Sequence, residues 1–393
     1  MNPTRFALLG TGGRGQIYVD VLNRMTEPRA VWTAMCGRRE STVSAFCAEN
    51  GLTDVPQVIG IDNLVTRTDV DAVLICTPDY AHLEPAQKCF EAGFHCLVEK
   101  PLATNPDDAR AICEAAIKSG KLLHLGFVLR YDPCAMKLRE MVTGGAIGKV
   151  ISCITHEAVG WFHGATYMRR WNRFKEMSGD MLLHKGCHTL DLINFISDAY
   201  PVRVAAFGGT EVFQPRSDGA EFCKDCSVTA DCIYYTDQGP EYRQRFLENA
   251  GPQVLPEDIC VYNADKDTTD TTSLTAEFTN GMRLSYTMTM VAPKGERRLS
   301  FIGTGGEIHC DLSSYRIEYT PLADKPTEII QVEKPKAFGH QHQDNALTNE
   351  FIDRIQQGDD PYRGIMDAHM SGAVAFAALE SMATGKIVAV PAL

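Results

Sequence analysis

A glycine-rich run, Gly10-Thr11-Gly12-Gly13-Arg14-Gly15, is the feature that most restricts the fold of this chain. It follows a short apolar segment, residues 6–9, and precedes a helical pattern. Glycines at these spacings permit a tight turn and let a pyrophosphate approach the backbone at a helix N-terminus. A plain strand-to-helix turn is the other interpretation. In this context the run favours the phosphate-binding turn of a β-α-β unit.

The region up to about residue 130 alternates strand and helix patterns. Its near-continuous apolar segments are typical of parallel strands that are covered on both faces. After the first strand they lie at residues 31–36, 70–76, 95–98 and 122–125. We therefore predict an α/β fold in which residues 1–130 form a doubly wound, Rossmann-type nucleotide-binding domain.

The pattern changes beyond about residue 148. Strand-like segments follow one another without helices, at 271–279, 282–291, 297–302 and 307–311. This predicts an α+β domain over residues 131–393 with an open, mostly antiparallel sheet. Within it, residues 214–262 read as an insertion, and helical patterns at 341–357 and 368–384 are expected to close over the domains.

Composition narrows the possible partners. The 393 residues suit two domains, and 38 Lys plus Arg against 50 Asp plus Glu give a formal charge of −12. An acidic chain is an unlikely partner for nucleic acid. No apolar run approaches a membrane span, and the N-terminus lacks a signal-peptide apolar region, so we expect a cytoplasmic protein with no membrane partner. An exposed sheet face would favour a homo-oligomer, a dimer or a tetramer.

The end of the second strand bears on cofactor choice. NAD sites often place an acidic residue there to bind the ribose 2′-hydroxyl. Here the sequence is Cys36-Gly37-Arg38-Arg39, and guanidinium groups pair well with a 2′-phosphate. Arg38 and Arg39 therefore favour NADP(H), although two solvated arginines beside bound NAD(H) would also explain them.

Polar residues follow two further strands of the predicted sheet. Thr77, Pro78 and His82 come after the third strand, and Glu99-Lys100-Pro101 comes after the fourth. Ligands of open α/β sheets bind outside these strand ends. Lys100 could donate to a sugar hydroxyl or take part in proton transfer, or it could be a solvated surface lysine.

A predicted helix over residues 180–197 carries His184, His188 and Asp191 on one face. Such histidines can be a structural pair, an acid–base group or metal ligands. Lys185 points about a quarter-turn away from that face, and Asp191 could orient the imidazole of His188. Upstream, Arg169, Arg170 and Trp171 predict a substrate rim, because arginine pairs with hydroxyls or anions and tryptophan stacks on sugars. The arginines also permit an acidic sugar.

Four cysteines fall in the insertion at residues 214–262: Cys223, Cys226, Cys232 and Cys260. A C-x-x-C pair plus two further thiols predicts a structural zinc site that would order a segment with little core of its own. An iron–sulfur cluster, redox thiols, a disulfide and coincidence are the other interpretations.

These motifs, with Leu129-Arg130-Tyr131 and the His188-x-x-Asp191 helix, resemble the glucose–fructose oxidoreductase / inositol dehydrogenase / rhizopine catabolism (Gfo/Idh/MocA) family. The resemblance implies NAD(P)-dependent chemistry on sugars, polyols or related carbonyls. It implies that Lys100 lies beside the nicotinamide and substrate and that His188 transfers the proton. Lys185, which follows His184 in this chain, is a further candidate for that proton transfer. It implies Arg130 as a cofactor contact, Tyr131 as a substrate contact and His340 as a substrate-rim candidate.

This chain departs from the family's pattern at one position, and two other functions compete with that of a dehydrogenase. Inositol-dehydrogenase-like members carry an aspartate where this chain has His184, so the proton relay can differ. A branch of the family is similar to this chain in carrying a cysteine cluster at this position. The rivals to a dehydrogenase are a redox-type glycosidase, which oxidises a sugar only transiently, and a non-catalytic protein that senses the cofactor.

Overall fold

The computed structural model describes residues 2–25, 29–236, 258–336 and 341–393. The chain divides into two compact units. The first unit contains residues 1–136, 333–373 and 392–393, and the second contains residues 137–332 and 374–391. This differs from the predicted division at residue 130, because a C-terminal segment, 333–373, joins the N-terminal unit.

The first unit is built on a six-stranded parallel sheet with the strand order β3-β2-β1-β4-β5-β6. Its strands are β1 Thr4–Leu9, β2 Ala30–Gly37, β3 Gln57–Ile59, β4 Ala72–Ile75, β5 His95–Val98 and β6 Leu123–Leu125. Residues 72–75 are fully buried, as the continuous apolar pattern predicts. The predicted doubly wound sheet is confirmed, and β3 is a short strand that the apolar pattern did not indicate.

Helices cover this sheet. They are α1 Gly13–Asn23, α2 Glu40–Glu49, α3 Ile61–Leu64, α4 Leu83–Glu91, α5 Pro106–Ser119 and, near the C-terminus, α11 Gln341–Gln357. Helix α6, Pro133–Thr143, begins in the first unit and ends in the second. Sequence signals set the ends of α5, where Asn105 accepts from the Asp108 amide and Gly120 closes the helix in the left-handed region. Phe351 of α11 packs against Phe6 of β1 with ring centroids 6.0 Å apart. Helix α11 therefore belongs to the core of the nucleotide-binding unit.

The second unit contains a nine-stranded sheet with the order β14-β13-β12-β11-β7-β10-β9-β8-β15. Its strands are β7 Val150–Gly160, β8 Pro201–Gly209, β9 Thr271–Phe278, β10 Arg283–Ala292, β11 Glu296–Gly303, β12 Gly306–Asp311, β13 Arg316–Pro321, β14 Glu328–Gln331 and β15 Val388–Ala389. All neighbours pair antiparallel except β7 and β10, which are parallel. The predicted, mostly antiparallel sheet is confirmed.

Helices of the second unit lie largely between β7 and β8. They are α7 Trp161–Arg169, α8 Lys175–Ser178, α9 Met181–His184 and α10 Cys187–Ser197. The last helix of the chain, α12, spans Tyr362–Thr384. Among the described residues, no helix combines the length and the apolar character that a membrane span requires.

Candidate active site

Part of the backbone of the glycine-rich turn, at the N-terminus of α1, has no other atoms packed against it. A Cβ at Gly10, where φ is +107°, would lie 2.6 Å from the Cys76 carbonyl oxygen, and one at Gly15 would clash with the Gly10 carbonyl. A Cβ at Gly12 or Gly13 would meet nothing within 4 Å. Gly10 and Gly15 are therefore required by packing. Gly12 and Gly13 leave the space that a phosphate group needs beside backbone N–H groups.

Arg14 joins this turn to the Glu99-Lys100-Pro101 motif. Its Nε donates to Oε1 of Glu99 over 2.7 Å, and a terminal nitrogen donates to Oδ1 of Asp344, on α11, over 2.8 Å. The Tyr18 hydroxyl also donates to Oε1 of Glu99, over 2.7 Å. Burial opposes the charge on Arg14, but Glu99, Tyr18 and Asp344 outweigh it and raise the pKa of Arg14. Arg14 and Glu99, both predicted as cofactor residues, thus form a buried brace beneath the turn.

His82 braces the two strand ends. Its Nδ1 lies 3.0 Å from the Pro101 carbonyl oxygen, and its Nε2 lies 3.0 Å from the Thr77 carbonyl oxygen. His82 is buried, and its contacts hold the two loops together. The Thr77 hydroxyl donates to the Ala81 carbonyl, Pro78 is exposed, and Lys100 is half-buried directly after Glu99.

The end of β2 lies beside the same turn. The Gly10 amide donates to the Cys36 carbonyl over 3.0 Å. A Cβ at Gly37 would lie 4.0 Å from Oγ1 of Thr11. Arg38 and Arg39 follow and are exposed.

Two residues predicted as ligand contacts, Arg130 and Tyr131, are half-buried and have partners within the first unit. Arg130 pairs with Asp367 over 2.8 Å. The hydroxyl of Tyr131 lies 3.3 Å from Nε2 of His124, and burial and Glu350 raise the pKa of Tyr131 well above its ordinary value. These contacts stabilise the first unit. His340, the substrate-rim candidate, lies outside the described residues.

The predicted single helix over residues 180–197 is wrong. Helix α9 ends at His184 and α10 begins at Cys187, with Lys185 and Gly186 between them. A Cβ at Gly186 would lie 2.9 Å from the Tyr286 hydroxyl, so close packing against β10 requires glycine here. The break means that His184 and His188 do not share one continuous helical face.

The two histidines lie in different surroundings. His184 is buried, its Nε2 lies 3.2 Å from Nδ2 of Asn172, and its ring meets the edges of Tyr167 and Trp171. His188 is half-buried, which suits a group that exchanges a proton with a bound molecule. Asp191, one turn further, is buried.

A buried network holds α10 in place. The carboxylate of Glu157, on β7, accepts from Thr189 over 2.6 Å and from the Tyr286 hydroxyl over 2.8 Å. Arg297 donates to Glu157 over 2.6 Å and to the Thr189 hydroxyl over 2.8 Å. Thr189 follows His188 in sequence, so the network fixes the helix at that histidine.

His163 is a site residue that the sequence did not indicate. Its Nε2 lies 3.3 Å from Nζ of Lys185 and 3.1 Å from the hydroxyl of Tyr167. The only signal was its spacing of four residues from Tyr167 on a helix. Lys185, placed off the predicted helical face, is thus in contact with α7.

The three residues of the predicted substrate rim differ in burial. Arg169 is buried and donates to the carbonyl oxygens of Ile259 and Tyr234, so it anchors the cysteine segment and does not form a rim. Arg170 and Trp171 are half-buried and remain accessible. The two adjacent arginines therefore lie in different environments, with Arg169 buried and Arg170 half-buried.

The predicted zinc site is not supported. Cys223 and Cys260 lie on facing chain segments, since the Cys223 amide donates to the Asp258 carbonyl and the Cys260 amide to the Glu221 carbonyl. Burial raises the pKa of the Cys223 thiol. Within the described residues, no three His, Cys, Asp or Glu side chains are grouped to hold a metal ion, and Cys223, Cys226, Cys232 and Cys260 are free thiols. Backbone contacts and Arg169 hold its described parts, residues 214–236 and 258–262, while residues 237–257 lie outside the described residues.

Known proteins share both halves of this architecture. Residues 4–127 match the oxidoreductase family with an NAD-binding Rossmann fold, and residues 139–390 match the C-terminal alpha/beta domain of the same family. The protein YteT of Bacillus subtilis (strain 168) is 29% identical over 350 residues, which are 82% of this chain and 80% of YteT.

Two further comparisons extend the likeness. A 2,7-anhydro-N-acetylneuraminate hydratase of Mediterraneibacter gnavus is 27% identical over 226 residues, and the chain spans about half of that relative, 56%. A levoglucosan dehydrogenase in complex with NADH and levoglucosan has the same fold, with a TM-score of 0.77 at 17% identity over 99% of this chain and 100% of that one. The family matches span both compact units, and the chain therefore belongs to the Gfo/Idh/MocA oxidoreductase family, with an NAD-binding Rossmann domain followed by a C-terminal α/β domain.

Proposed function

We propose that the protein is an NAD(P)-dependent oxidoreductase that acts on a carbinol or carbonyl group of a sugar, polyol or sugar derivative. The contact between Arg14 and Glu99 carries the proposal, because it couples a phosphate-binding turn to the residue that precedes Lys100. Family membership and a levoglucosan dehydrogenase of the same fold support the substrate class.

In this proposal three side chains share the chemistry. A nicotinamide, when bound, supplies or accepts the hydride. Lys100 donates a hydrogen bond to the substrate oxygen and stabilises negative charge that develops there. His188 accepts the hydroxyl proton during oxidation and returns it during reduction. Lys185 is a possible further participant, through its charge near the same helix.

The residues present fit a nicotinamide dinucleotide. The open backbone at Gly12 and Gly13 would hold the pyrophosphate, and Arg38 and Arg39 would hold a 2′-phosphate. We therefore propose NADP(H) as the preferred cofactor and NAD(H) as the other candidate. Comparing the dissociation constants of NADPH and NADH in the wild type and in a double Arg38→Ala, Arg39→Ala variant tests this preference.

We also propose that the protein works in the cytoplasm as a homo-oligomer, a dimer or a tetramer. Apolar side chains on the second sheet support an interface between copies, since Ile154 is 52% and Phe207 80% exposed. Sedimentation or light scattering measures the assembly directly.

A second candidate is a reaction without net redox change, in which a sugar is oxidised only transiently before elimination. The relative that is a hydratase favours it, since hydration transfers no net electrons. A non-catalytic cofactor sensor is the third possibility, and it predicts cofactor binding without turnover.

The deciding experiment incubates the protein with sugars, polyols and glycosides and with each nicotinamide. A dehydrogenase accumulates reduced cofactor in proportion to product. Product release without accumulation identifies the transient-oxidation reaction. Cofactor binding with no product from any compound contradicts both.

A further inference from the structure

Lys185, His163 and Tyr167 form a compact cluster in the second unit. The ammonium of Lys185 and the hydroxyl of Tyr167 both lie within 3.3 Å of Nε2 of His163. An ammonium group can only donate, so Nε2 of His163 accepts from it and carries no proton. The Lys185 ammonium also lies 5.7 Å from the centre of the Tyr167 ring. The cluster thus fixes the position of a lysine charge.

Further cations face this imidazole. Partial burial and then the positive charges of Lys185, Arg170, His184 and Arg297 lower the pKa of His163 to about 4. Arg297 contacts Glu157, a carboxylate that Thr189 and Tyr286 also enclose. Because Glu157 offsets the charge of Arg297, Lys185 and Arg170 are the cations that act most directly on His163.

The cluster is open to a small molecule. His163 is exposed, and Tyr167, Arg170 and Lys185 are half-buried. Arg169 donates to backbone carbonyl oxygens. His163, Tyr167 and Arg170 follow one another at spacings of four and three residues along α7 and its C-cap, which places Arg170 on the side of the helix that contacts Lys185. Arginine and lysine on one side of a helix are well suited to bind an anion.

We propose that Lys185, Arg170 and His163 form a subsite for an anionic substituent of the substrate, so that the preferred substrate is a sugar bearing a carboxylate or a sulfonate. The inference rests on the proposed function, because it names the substrate class of the same protein. An anion accepts from Lys185 in place of Nε2 of His163, and the Arg170 guanidinium supplies a second charge-assisted hydrogen bond.

The test compares matched sugars on the full-length protein with bound nicotinamide. Calorimetry measures the binding of D-glucuronate against D-glucose, D-galacturonate against D-galactose, and a sugar sulfonate against its parent sugar. The variants are Lys185→Met and Arg170→Gln. The control is Lys224→Met, which removes a lysine that is 52% exposed elsewhere in the same unit.

The wild type is expected to bind at least one anionic sugar about tenfold or more tighter than its neutral counterpart. Both variants should bring that ratio close to one, and Lys224→Met should leave it unchanged. Binding of the uronates alone identifies a carboxylate as the anion, and binding of the sulfonate alone identifies a sulfonate.

Equal binding of anionic and neutral sugars, no binding of any anionic sugar, or a ratio unaffected by Lys185→Met and Arg170→Gln would overturn the subsite. The binding ratio needs no turnover. If the protein binds anionic sugars more tightly than neutral ones but turns over no sugar, the proposed function is contradicted and the subsite is not. If it turns over neutral sugars and binds neutral and anionic sugars equally, the subsite is contradicted and the proposed function is not.

Discussion

Arg14 of the phosphate-binding turn donates through Nε to the buried carboxylate of Glu99 over 2.7 Å, across 85 positions of sequence. The turn and the Glu99-Lys100-Pro101 motif therefore behave as one rigid unit. Tyr18 and Asp344 complete the hydrogen bonding around this pair. Under the proposed function, these contacts would position the turn and Lys100 before a dinucleotide binds.

Replacing Glu99 with Gln should destabilise the protein and weaken dinucleotide binding. The change removes the charge of one of the two buried carboxylates that pair with Arg14, while Asp344 stays in place, and loss of a charged hydrogen-bond partner costs about 1.5–3 kcal/mol. Urea unfolding measures the loss. The matched control is Glu84→Gln, which removes an exposed pair with Lys88 and should cost less than about 1 kcal/mol. Equal effects of the two changes would contradict the role of Glu99.

Alanine substitutions should separate packing from ligand binding in the glycine-rich turn. Gly15→Ala should destabilise the fold, because its Cβ would clash with the Gly10 carbonyl oxygen. Gly13→Ala should fold normally, since its Cβ meets nothing within 4 Å, but raise the dissociation constant of the dinucleotide about tenfold or more. Melting temperatures and nucleotide fluorescence titrations measure the two effects. Unaltered nucleotide binding by Gly13→Ala would place the phosphates elsewhere.

Thr189→Val should show whether the Glu157 network positions α10. The variant removes a donor to Glu157 and an acceptor for Arg297, which should cost about 1–3 kcal/mol of unfolding free energy. It should also lower kcat and shift the pH profile of turnover, because Thr189 adjoins His188. Thr287→Val, on the exposed face of β10, is the control. A stability loss with an unchanged pH profile would limit the network to a structural role.

His124 should make the protein less stable in acid. Burial and then the charges of Arg354 and Arg130 lower its folded-state pKa from 6.5 to about 3. Between these values the unfolded chain binds the proton and the folded chain does not. Stability therefore falls as the pH drops through this window, by about 1.4 kcal/mol per pH unit at most. Above about pH 6.5 both states are neutral and the effect vanishes.

The check is His124→Asn, which lacks the titrating group. Its free energy of unfolding, measured in urea at several pH values, should fall less steeply with acid than that of the wild type. His95→Asn is an informative comparison, because burial lowers the pKa of His95 to about 4 in the same unit. Identical slopes for His124→Asn and wild type would contradict the shift.

Local patterns were sufficient for much of the fold. Apolar runs and the glycine spacing predicted the parallel sheet and its turn, and the strand-like segments at 271–279 and 282–291 match the antiparallel pairing of β9 with β10. These features depend on neighbours in sequence. The inclusion of α11 in the first unit depends on distant contacts such as Phe6 with Phe351, which no local pattern contains.

The arrangement of the candidate site also depends on contacts between residues that are distant in sequence. The break after His184 arises because Gly186 packs against Tyr286, a hundred residues away, while the apolar periodicity runs on without interruption. Arg169 and Arg170 are adjacent and chemically identical, and only tertiary packing decides which one is buried. The cysteine spacing suggested a metal, but the contacts of Arg169 provide another way to order that segment.

The central claim is that His188 moves the proton in a nicotinamide-dependent reaction on a sugar or polyol. The most direct measurement compares wild type and His188→Ala on the best substrate, with turnover followed by the near-ultraviolet absorbance of reduced nicotinamide and cofactor binding measured separately. We predict that the variant binds the cofactor with unchanged affinity and loses at least about a hundredfold in kcat. A variant that retains wild-type turnover would contradict the assignment.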